Sequence, residues 1–403
     1  MASSDRAGRF LKVPAGYRAF IPISLPPNPP VELDGPMVKL LSEADQALGR
    51  LDGVTQVLPD PDLFVAMYVL RESVLSSQIE GTVSTLDDAL VFQLQPKRPD
   101  LPQDVEEVVN HVRAMNYGLE RLATLPLSLR LVREIHAQLM TSARGSDRRP
   151  GEFRTTQNWI GPAGAPLSSA TFVPPPALEM LDSLNDLEHF LHEENQLPVL
   201  IHAGLAHAQF ETIHPFLDGN GRVGRLLITF LLCHRVVLHR PLLYVSVYLK
   251  RHKAEYYDRL TAIREDGNWE GWLRFFLRGV RDTATEATET ARSIVTMRED
   301  HARLIQEDGL GLTGLRLLDL LLRRPIINVN FVKDRLGISF ATANNQVEQL
   351  QRLGLLEETT GQHRNRMFRY GAYLDLFGEV IPTPEEDVPV QTTESGQLTL
   401  AVQ

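Results

Sequence analysis

Residues 214–225 read His-Pro-Phe-Leu-Asp-Gly-Asn-Gly-Arg-Val-Gly-Arg and are followed at once by the apolar run 226–232. The apolar run predicts a buried helix, and the glycines predict a tight loop that leads into its N-terminus. Because proline disfavours helical geometry in the residue before it, the preceding helix, predicted over 197–213, ends at His214. Two buried helices joined by such a loop indicate a mainly α-helical core.

The loop combines the groups that phosphoryl-transfer chemistry needs. The amides of Gly219, Asn220 and Gly221 lie at a helix N-terminus, where a negative charge is favoured. Arg222 and Arg225 offer forked donors to phosphate oxygens, the aspartate offers a hard oxygen ligand suited to Mg²⁺, and the histidine is a base near neutrality. A plain turn explains the glycines but not this polar set, so the loop predicts a phosphoryl- or nucleotidyl-transfer centre.

The segment is similar to the HPFx[D/E]GNGRxxR signature of the Fic family at every defined position. The resemblance implies that AMP passes from ATP to a Tyr, Thr or Ser hydroxyl of a target protein or of the chain itself. It implies that His214 deprotonates the hydroxyl and that Asp218 holds Mg²⁺ between the α- and β-phosphates. The nucleotide-binding residues it implies are Glu80, Asp218, Gly219, Asn220, Gly221, Arg222, Val223, Gly224, Arg225 and Tyr257.

A second segment fits an inhibitory pattern of the same family. Ser76, Glu80 and Gly81 match [S/T]xxxE[G/N] at the end of a helix predicted over 63–79. Alone, this segment is only a helix end with a solvated carboxylate. Beside the loop, the resemblance implies that Glu80 pairs with Arg225, which the γ-phosphate also needs. ATP then binds in a shifted pose, and Ser76 caps or anchors the helix.

The expected architecture is a Fic-fold helical bundle with a β-hairpin flap, followed by a winged helix-turn-helix. β-branched and aromatic residues predict the flap, a short hairpin or extended segment, over 152–160. A helix, helix, glycine turn, helix and hairpin predict the winged unit. The predicted domains are an N-terminal proline-rich wrap with the inhibitory helices (1–104), the catalytic core (105–301), the winged helix-turn-helix (311–375) and a disordered tail (376–403). Further helices are predicted over 104–123, 127–142, 176–194, 221–236, 250–265 and 269–301.

Two surfaces suggest partners. The resemblance implies that the flap docks an extended segment of the target protein by strand addition. Residues 311–370 carry nine Lys or Arg against five acids, which favours DNA, but the third helix of this unit supplies little phosphate-binding charge. DNA contact, protein docking and homodimer formation therefore all stay open for this unit.

Bulk properties place the chain in the cytoplasm by default. The net charge of -10 argues against nonspecific binding of nucleic acid or membranes by the whole molecule. No stretch reaches the roughly 18 apolar residues of a membrane span, and no signal-peptide core follows the N-terminus. The single cysteine, Cys233, is expected to be a small buried residue in a reducing compartment.

Other functions remain in competition. The same site fits a deAMPylase in which Glu80 orients a water, a transferase with another nucleotide or phosphocholine-type donor, or a DNA-binding regulator that only senses a nucleotide. His202, His207 and His214 lie close together in the sequence and suggest a zinc site. Their spacings of five and seven residues, however, do not place all three on one face of a helix. Tyr257 is the aromatic residue expected to contact adenine or ribose, with a core role as its rival.

Overall fold

The computed structural model describes residues 5–13, 16–56, 61–141, 148–161, 166–193, 197–362 and 366–378. The helices are α1 (Gly35–Gln56), α2 (Pro61–Ile79), α3 (Leu86–Leu94), α4 (Val105–Leu122), α5 (Leu129–Leu139), α6 (Ala177–His192), α7 (Val199–Ile213), α8 (Asn220–His234), α9 (Ser246–Arg251), α10 (Lys253–Asp266), α11 (Trp269–Glu307), α12 (Gly311–Arg323), α13 (Val329–Leu336), α14 (Phe340–Arg352) and α15 (Gly371–Asp375). The fold is therefore mainly α-helical, as the sequence predicts.

Two of the helical predictions need correction. The helix predicted over 250–265 is interrupted at His252, which separates α9 from α10. The sequence analysis also missed α3, whose start is fixed by a reciprocal capping box. Thr85 Oγ1 accepts the amide of Asp88 at 3.1 Å, and the Asp88 carboxylate accepts the amide of Thr85 at 2.8 Å. Local capping decides this short helix because its apolar periodicity is weak.

The N-terminal segment differs from the predicted extended wrap. It forms an antiparallel ribbon of β1 (Gly8–Lys12) and β2 (Arg18–Pro22). Phe20 of β2 is buried, and its ring centroid lies 6.4 Å from that of Phe172. The ribbon is therefore held by packing against a distant segment, which the composition of residues 1–36 does not reveal.

The core of the bundle is built around α7 and α8. Every residue of α7 from Leu200 to Ile213 is buried, and α8 is buried over most of its length. A helix that is apolar on all sides is stable only when neighbours surround it. The long helix α11 packs along α1 on one side, and α4 packs on α5 on the other. The loop between α7 and α8 is thus anchored at both ends by the most buried helices of the chain.

The C-terminal elements follow the predicted order and add one strand. The strand β3 (Ile326–Asn328) precedes α13, while β4 (Glu357–Glu358) and β5 (Met367–Arg369) follow α14, and the sheet order is β3-β5-β4. Ser339 caps α14 by accepting the amide of Thr342 at 3.1 Å. The division into separate domains stays a prediction, since α12 also packs against α2.

Part of the predicted tail lies inside the structure. Phe377 is 4% exposed, and its ring centroid lies 5.4 Å from that of Tyr68 and 5.3 Å from that of Tyr373. The disorder predicted for the rest of 376–403 concerns residues 379–403, which lie outside the described residues. Among the described residues, no helix combines the length and apolar character needed to cross a bilayer.

Candidate active site

His214 lies where α7 ends. Its backbone adopts a left-handed conformation, with φ 50° and ψ 60°, directly before Pro215. Its Nδ1 lies 3.4 Å from the carbonyl oxygen of Glu211, a contact that favours a proton on Nδ1 and leaves the lone pair on Nε2. Burial lowers the pKa of His214 to about 4. The imidazole is therefore neutral near pH 7 and able to accept a proton.

The loop is closed by one of its own side chains. The Oδ1 of Asn220 accepts the amide of Phe216 at 2.8 Å, and its Nδ2 donates to the carbonyl of Phe216 at 2.9 Å. Gly219 has φ 76° and starts α8 without a capping side chain. The amides of Gly219, Asn220 and Gly221, hereafter the cradle, therefore lie at a helix N-terminus that suits an anion, and the amide of Gly219 donates to Asp218 Oδ1 at 2.6 Å.

His136 of α5 supports the loop from behind, and sequence reasoning missed it. Its ring stacks on Phe216, with centroids 3.7 Å apart and an interplanar angle of 4°. Its Nε2 donates to the carbonyl of Asp218 at 3.1 Å, and its Nδ1 accepts the amide of Gly151 at 2.9 Å. This pattern requires the neutral ring, and burial lowers the pKa of His136 to about 4. Nothing local in the sequence marks this role.

Two polar side chains of the flap also hold the loop and were missed. Arg154 is 1% exposed, and its guanidinium donates to the backbone carbonyls of His214 and Pro175. Asn158 Nδ2 donates to the carbonyls of His214 at 3.2 Å and Phe216 at 2.8 Å. Burial lowers the pKa of Arg154 to about 10. No local pattern in the sequence of the flap marks this role for either residue.

The flap is a minimal hairpin rather than a pair of full strands. Ile160 forms an antiparallel bridge with Phe172, and its amide donates to the carbonyl of Phe172 at 2.8 Å. The predicted range 152–160 therefore covers one arm, and the second arm lies near Phe172. Trp159 and Ile160 are 40% and 37% exposed, so this arm presents apolar surface.

The segment predicted to be inhibitory lies against the loop. Arg225 is 1% exposed and donates from Nη2 to Glu80 Oε1 at 2.7 Å. It also donates from Nε to the Ser76 hydroxyl at 2.8 Å and from Nη2 to the Ser76 carbonyl at 2.9 Å. Burial alone would raise the pKa of Glu80, but the charge of Arg225 outweighs it and holds that pKa below its ordinary value. The pair is therefore charged.

The Glu80 carboxylate lies directly over the cradle. A β-carbon added at Gly221 would collide with Glu80 Oε1 and approach Arg225 Nη1 to 2.9 Å. A glycine is thus needed where the carboxylate comes closest to the backbone. Glu80 therefore pairs with Arg225 and lies against Gly221 at the same time.

Arg222 is paired with a carboxylate outside the loop. It is 4% exposed, and its Nη1 donates to Glu107 Oε2 of α4 at 3.1 Å. Its Nη2 lies 3.7 Å from Oδ1 of Asp218, a half-exposed side chain. Together with Glu80, these three side chains line a cavity of about 550 Å³. Sequence reasoning missed Glu107 because it lies 115 residues away from Arg222.

Val223 and Gly224, two predicted nucleotide contacts, lie on the core side of α8. Val223 is buried, and its amide donates to the carbonyl of Gly219 at 3.0 Å within the helix. Gly224 leaves room for the carboxyl of Glu211, whose pKa burial raises to about 7. His207 Nδ1 donates to the Gly224 carbonyl at 2.9 Å. The geometry gives both positions a packing role.

The two neighbouring tyrosines have different environments. Tyr256 is 1% exposed, and its hydroxyl donates to His207 Nε2 at 2.9 Å, which makes it a core residue. Tyr257 is 42% exposed, and burial of its hydroxyl raises its pKa to about 12. Tyr257 is therefore the one of the two that a ligand can reach, and its contact with adenine or ribose stays a prediction.

The zinc alternative gains no support from the described residues, where no group of three His, Cys, Asp or Glu side chains could hold a metal ion. His202 instead packs edge-on against Phe190, with centroids 4.3 Å apart. Burial raises the pKa of the Cys233 thiol to about 12, which fits a packing residue rather than a nucleophile.

Basic residues of the C-terminal elements gather away from α14. Arg316, Arg323, Arg324 and Arg335, on α12 and α13 and between them, line a cavity of about 500 Å³ together with Phe331. On α14, by contrast, Arg366 of the hairpin bonds Asn344 at 3.0 Å and lies 3.4 Å from Glu348. The four arginines that line this cavity therefore lie on α12, on α13 and between them, and not on α14, the third helix of the unit.

Comparisons with known proteins agree with this geometry. A model of the Fic/DOC family N-terminal region matches residues 38–120, and a model of the Fic/DOC family matches residues 126–232. The chain is 31% identical over 186 residues to the protein adenylyltransferase Fic of Drosophila grimshawi, covering 45% of this chain and 34% of the relative. Against the protein adenylyltransferase Fic of Aedes aegypti it is 31% identical over 165 residues, covering 40% of this chain and 28% of the relative. The chain thus spans about a third of the length of these relatives.

Two solved structures share the fold. A Fic family protein from Desulfovibrio desulfuricans is 23% identical, with a TM-score of 0.53 over 85% of this chain and 97% of that chain. A Fic domain containing signaling protein from Bacteroides thetaiotaomicron is 18% identical, with a TM-score of 0.50 over 62% of this chain and 97% of that chain. At these identities the likeness concerns the fold alone.

Proposed function

We propose that the chain, whose residues 38–120 and 126–232 match models of the Fic/DOC family, is a protein adenylyltransferase that transfers AMP from ATP to a side-chain hydroxyl of a target protein or of itself. The observation that carries the proposal is one arrangement of groups. A neutral imidazole, a helix N-terminus and two buried arginines surround a single loop. The named relatives, which are protein adenylyltransferases, support the same activity.

The reaction follows from these groups. The hydroxyl oxygen of the acceptor forms a bond to the α-phosphorus, and the bond from that phosphorus to the bridging oxygen of pyrophosphate breaks. His214 takes the hydroxyl proton on Nε2, and its lowered pKa keeps the ring unprotonated beforehand. The amides of the cradle stabilise the charge on the phosphate oxygens, and pyrophosphate leaves. The acceptor is a Tyr, Thr or Ser hydroxyl.

The residues present fit a magnesium ion bound mainly by its substrate. Asp218 presents a half-exposed carboxylate to the cavity, beside the cradle. Mg²⁺ commonly binds through one or two carboxylates plus substrate phosphates and water, so it needs no all-protein cage. Asp218 would hold the ion, which would supply positive charge to offset that of the substrate phosphates.

We further propose that the described state is the inhibited one. Arg225 is the donor for the γ-phosphate, and Arg222 also binds phosphate oxygens. Glu80 pairs with Arg225 and lies against Gly221, so Arg225 is not available to the γ-phosphate. ATP then reaches the cradle only in a pose in which its α-phosphate is misaligned for attack. Misalignment at the reacting centre is sufficient to suppress the rate by orders of magnitude.

The target and the nucleoside have proposed sites as well. The exposed flap arm with Trp159 and Ile160 would bind an extended target segment, and Tyr257 would contact the adenosine. DNA binding through 311–370, homodimer formation and a cytoplasmic location stay predictions.

One labelling experiment tests the activity. The full chain carrying Glu80→Gly is incubated with α-³²P-labelled ATP and Mg²⁺, beside the same variant carrying His214→Ala. We expect protein-bound label only where His214 is intact. Label that is absent from both variants, or unaffected by His214→Ala, would exclude AMP transfer at this site. Salt-sensitive binding of duplex DNA with no labelling would favour the regulator instead.

A further inference from the structure

A second carboxylate contacts the other arginine of the loop. Glu107, on α4, accepts a hydrogen bond from Arg222 at 3.1 Å, while Asp218 lies 3.7 Å from the same guanidinium. The Asp218 oxygen nearest to Arg222 already accepts the amide of Gly219 at 2.6 Å. Arg222 thus lies between two carboxylates, of which Glu107 is the closer.

Burial makes this choice of partner important. Arg222 is 4% exposed, and its Nε has no hydrogen-bond partner among the described residues. A buried guanidinium without a carboxylate is strongly unfavourable, and Glu107 and Asp218 are the two carboxylates in the described part of the chain that lie within 4 Å of Arg222. If Glu107 were removed, a small rotation of the guanidinium would bring Asp218 within hydrogen-bond distance. The carboxylate that faces the cavity would then be neutralised.

On the basis of the proposed function, we propose that Glu107 is a positioning residue that draws Arg222 away from Asp218 and so keeps the Asp218 carboxylate available to a divalent cation. Glu107 acts through the arginine and contacts no reacting atom. It differs from Glu80, which pairs with Arg225 on the other side of the cradle. One carboxylate opposes the productive alignment of the nucleotide, whereas the other prepares the cation site.

The test measures cation affinity directly. Binding of Mn²⁺ to the full chain is followed by electron paramagnetic resonance with α,β-methylene-ATP, which blocks transfer, in the Glu80→Gly background. We expect Glu107→Gln to raise the dissociation constant of Mn²⁺ about tenfold or more, as removal of a residue behind a metal ligand commonly does. The neighbouring exposed residue gives the matched control, Glu106→Gln, which leaves the constant unchanged.

A double variant tests the route through Arg222. If Glu107 acts by holding Arg222, then Glu107→Gln adds nothing once Arg222→Gln is present, and the double variant binds Mn²⁺ as the Arg222→Gln variant does. An unchanged constant in Glu107→Gln overturns the inference. So does an equal loss on both arginine backgrounds, because that result means a structural effect independent of Arg222.

The proposed function and this inference fail in different ways. AMP transfer is read separately with labelled ATP in the Glu80→Gly variant. If no AMP transfer is observed but Glu107→Gln still weakens Mn²⁺ binding, the transferase proposal fails and Glu107 remains a positioning residue of a nucleotide–cation site. Transfer without any effect of Glu107→Gln on Mn²⁺ refutes the inference alone, and so does a parent chain that transfers AMP but binds no Mn²⁺.

Discussion

Replacing Glu80 by glycine is expected to raise self-modification. The substitution removes the acceptor of the 2.7 Å bond from Arg225 and clears the space above Gly221. A hydrogen bond between charged groups contributes about 1.5–3 kcal/mol. Because the Glu80 side chain is 37% exposed, solvent screening reduces this pair to about 1–2 kcal/mol. Since about 1.4 kcal/mol is a factor of ten, the rate should rise about 5- to 30-fold from Arg225 alone.

Glu80→Gln separates the two effects of the carboxylate. Glutamine keeps the volume over Gly221 and an oxygen acceptor, but it loses the charge that attracts Arg225. We therefore expect its rate to lie between that of the original chain and that of Glu80→Gly. The assay is incorporation of label from α-labelled ATP per mole of protein over time, with denaturation midpoints measured for each variant.

The control alters the same helix end without removing the charge. Gln78→Ala deletes a bond from Gln78 Nε2 to the Ser84 carbonyl at 2.9 Å and leaves Arg225 paired. Its rate should match that of the original chain. A Glu80→Gly rate equal to or below the original would refute the autoinhibition reasoning, as would activation by Gln78→Ala of the same size.

Three further outcomes are expected. Arg154→Met should lower both the rate of AMP transfer in the Glu80→Gly background and the denaturation midpoint. The reason is that the guanidinium no longer bonds the backbone carbonyls of His214 and Pro175. An unchanged rate in well-folded protein would contradict this prediction. Lys253→Met should raise self-modification several-fold. The substitution removes the 2.7 Å hydrogen bond from Lys253 Nζ to the Ile79 carbonyl, at the C-terminal end of the helix α2 that leads to Glu80. An unchanged rate would mean that Arg225 alone holds that helix end. Burial lowers the pKa of His214 in the folded chain to about 4, below the ordinary histidine pKa of about 6.5. The unfolded chain therefore binds this proton first as pH falls, and the free energy of unfolding should decrease between about pH 6.5 and about pH 4. Urea denaturation across that range checks the slope, which should be smaller in His214→Gln.

The sequence predicted those features of the site that depend on neighbouring residues, and the family pattern predicted one contact between distant residues. The end of α7 at His214 follows from Pro215, and the turn at Gly219 follows from the glycine itself. The contact of Glu80 with Arg225 spans 145 residues, and only the family pattern predicted it. Periodicity located most helices because their buried faces repeat along the chain.

Contacts between distant elements lay beyond the sequence. His136, Arg154 and Glu107 support the loop from α5, the flap and α4, and none of them belongs to a recognisable local motif. Their roles depend on burial and on the direction of single polar atoms, which periodicity does not encode. The short helix α3 was missed for a related reason, since a capping box rather than an apolar stripe sets its start.

The sequence by itself determined the chemistry of the loop. It supplies a histidine before a proline, an aspartate, the glycines of a helix N-terminus and two arginines that lie three residues apart on α8. Tertiary structure brings each arginine to its carboxylate, because burial leaves a guanidinium only the partners that packed helices bring within reach. The family pattern indicated Glu80 as the partner of Arg225, but nothing in the sequence indicated Glu107 as the partner of Arg222. Helix α2 brings Glu80 to Arg225, and helix α4 brings Glu107 to Arg222.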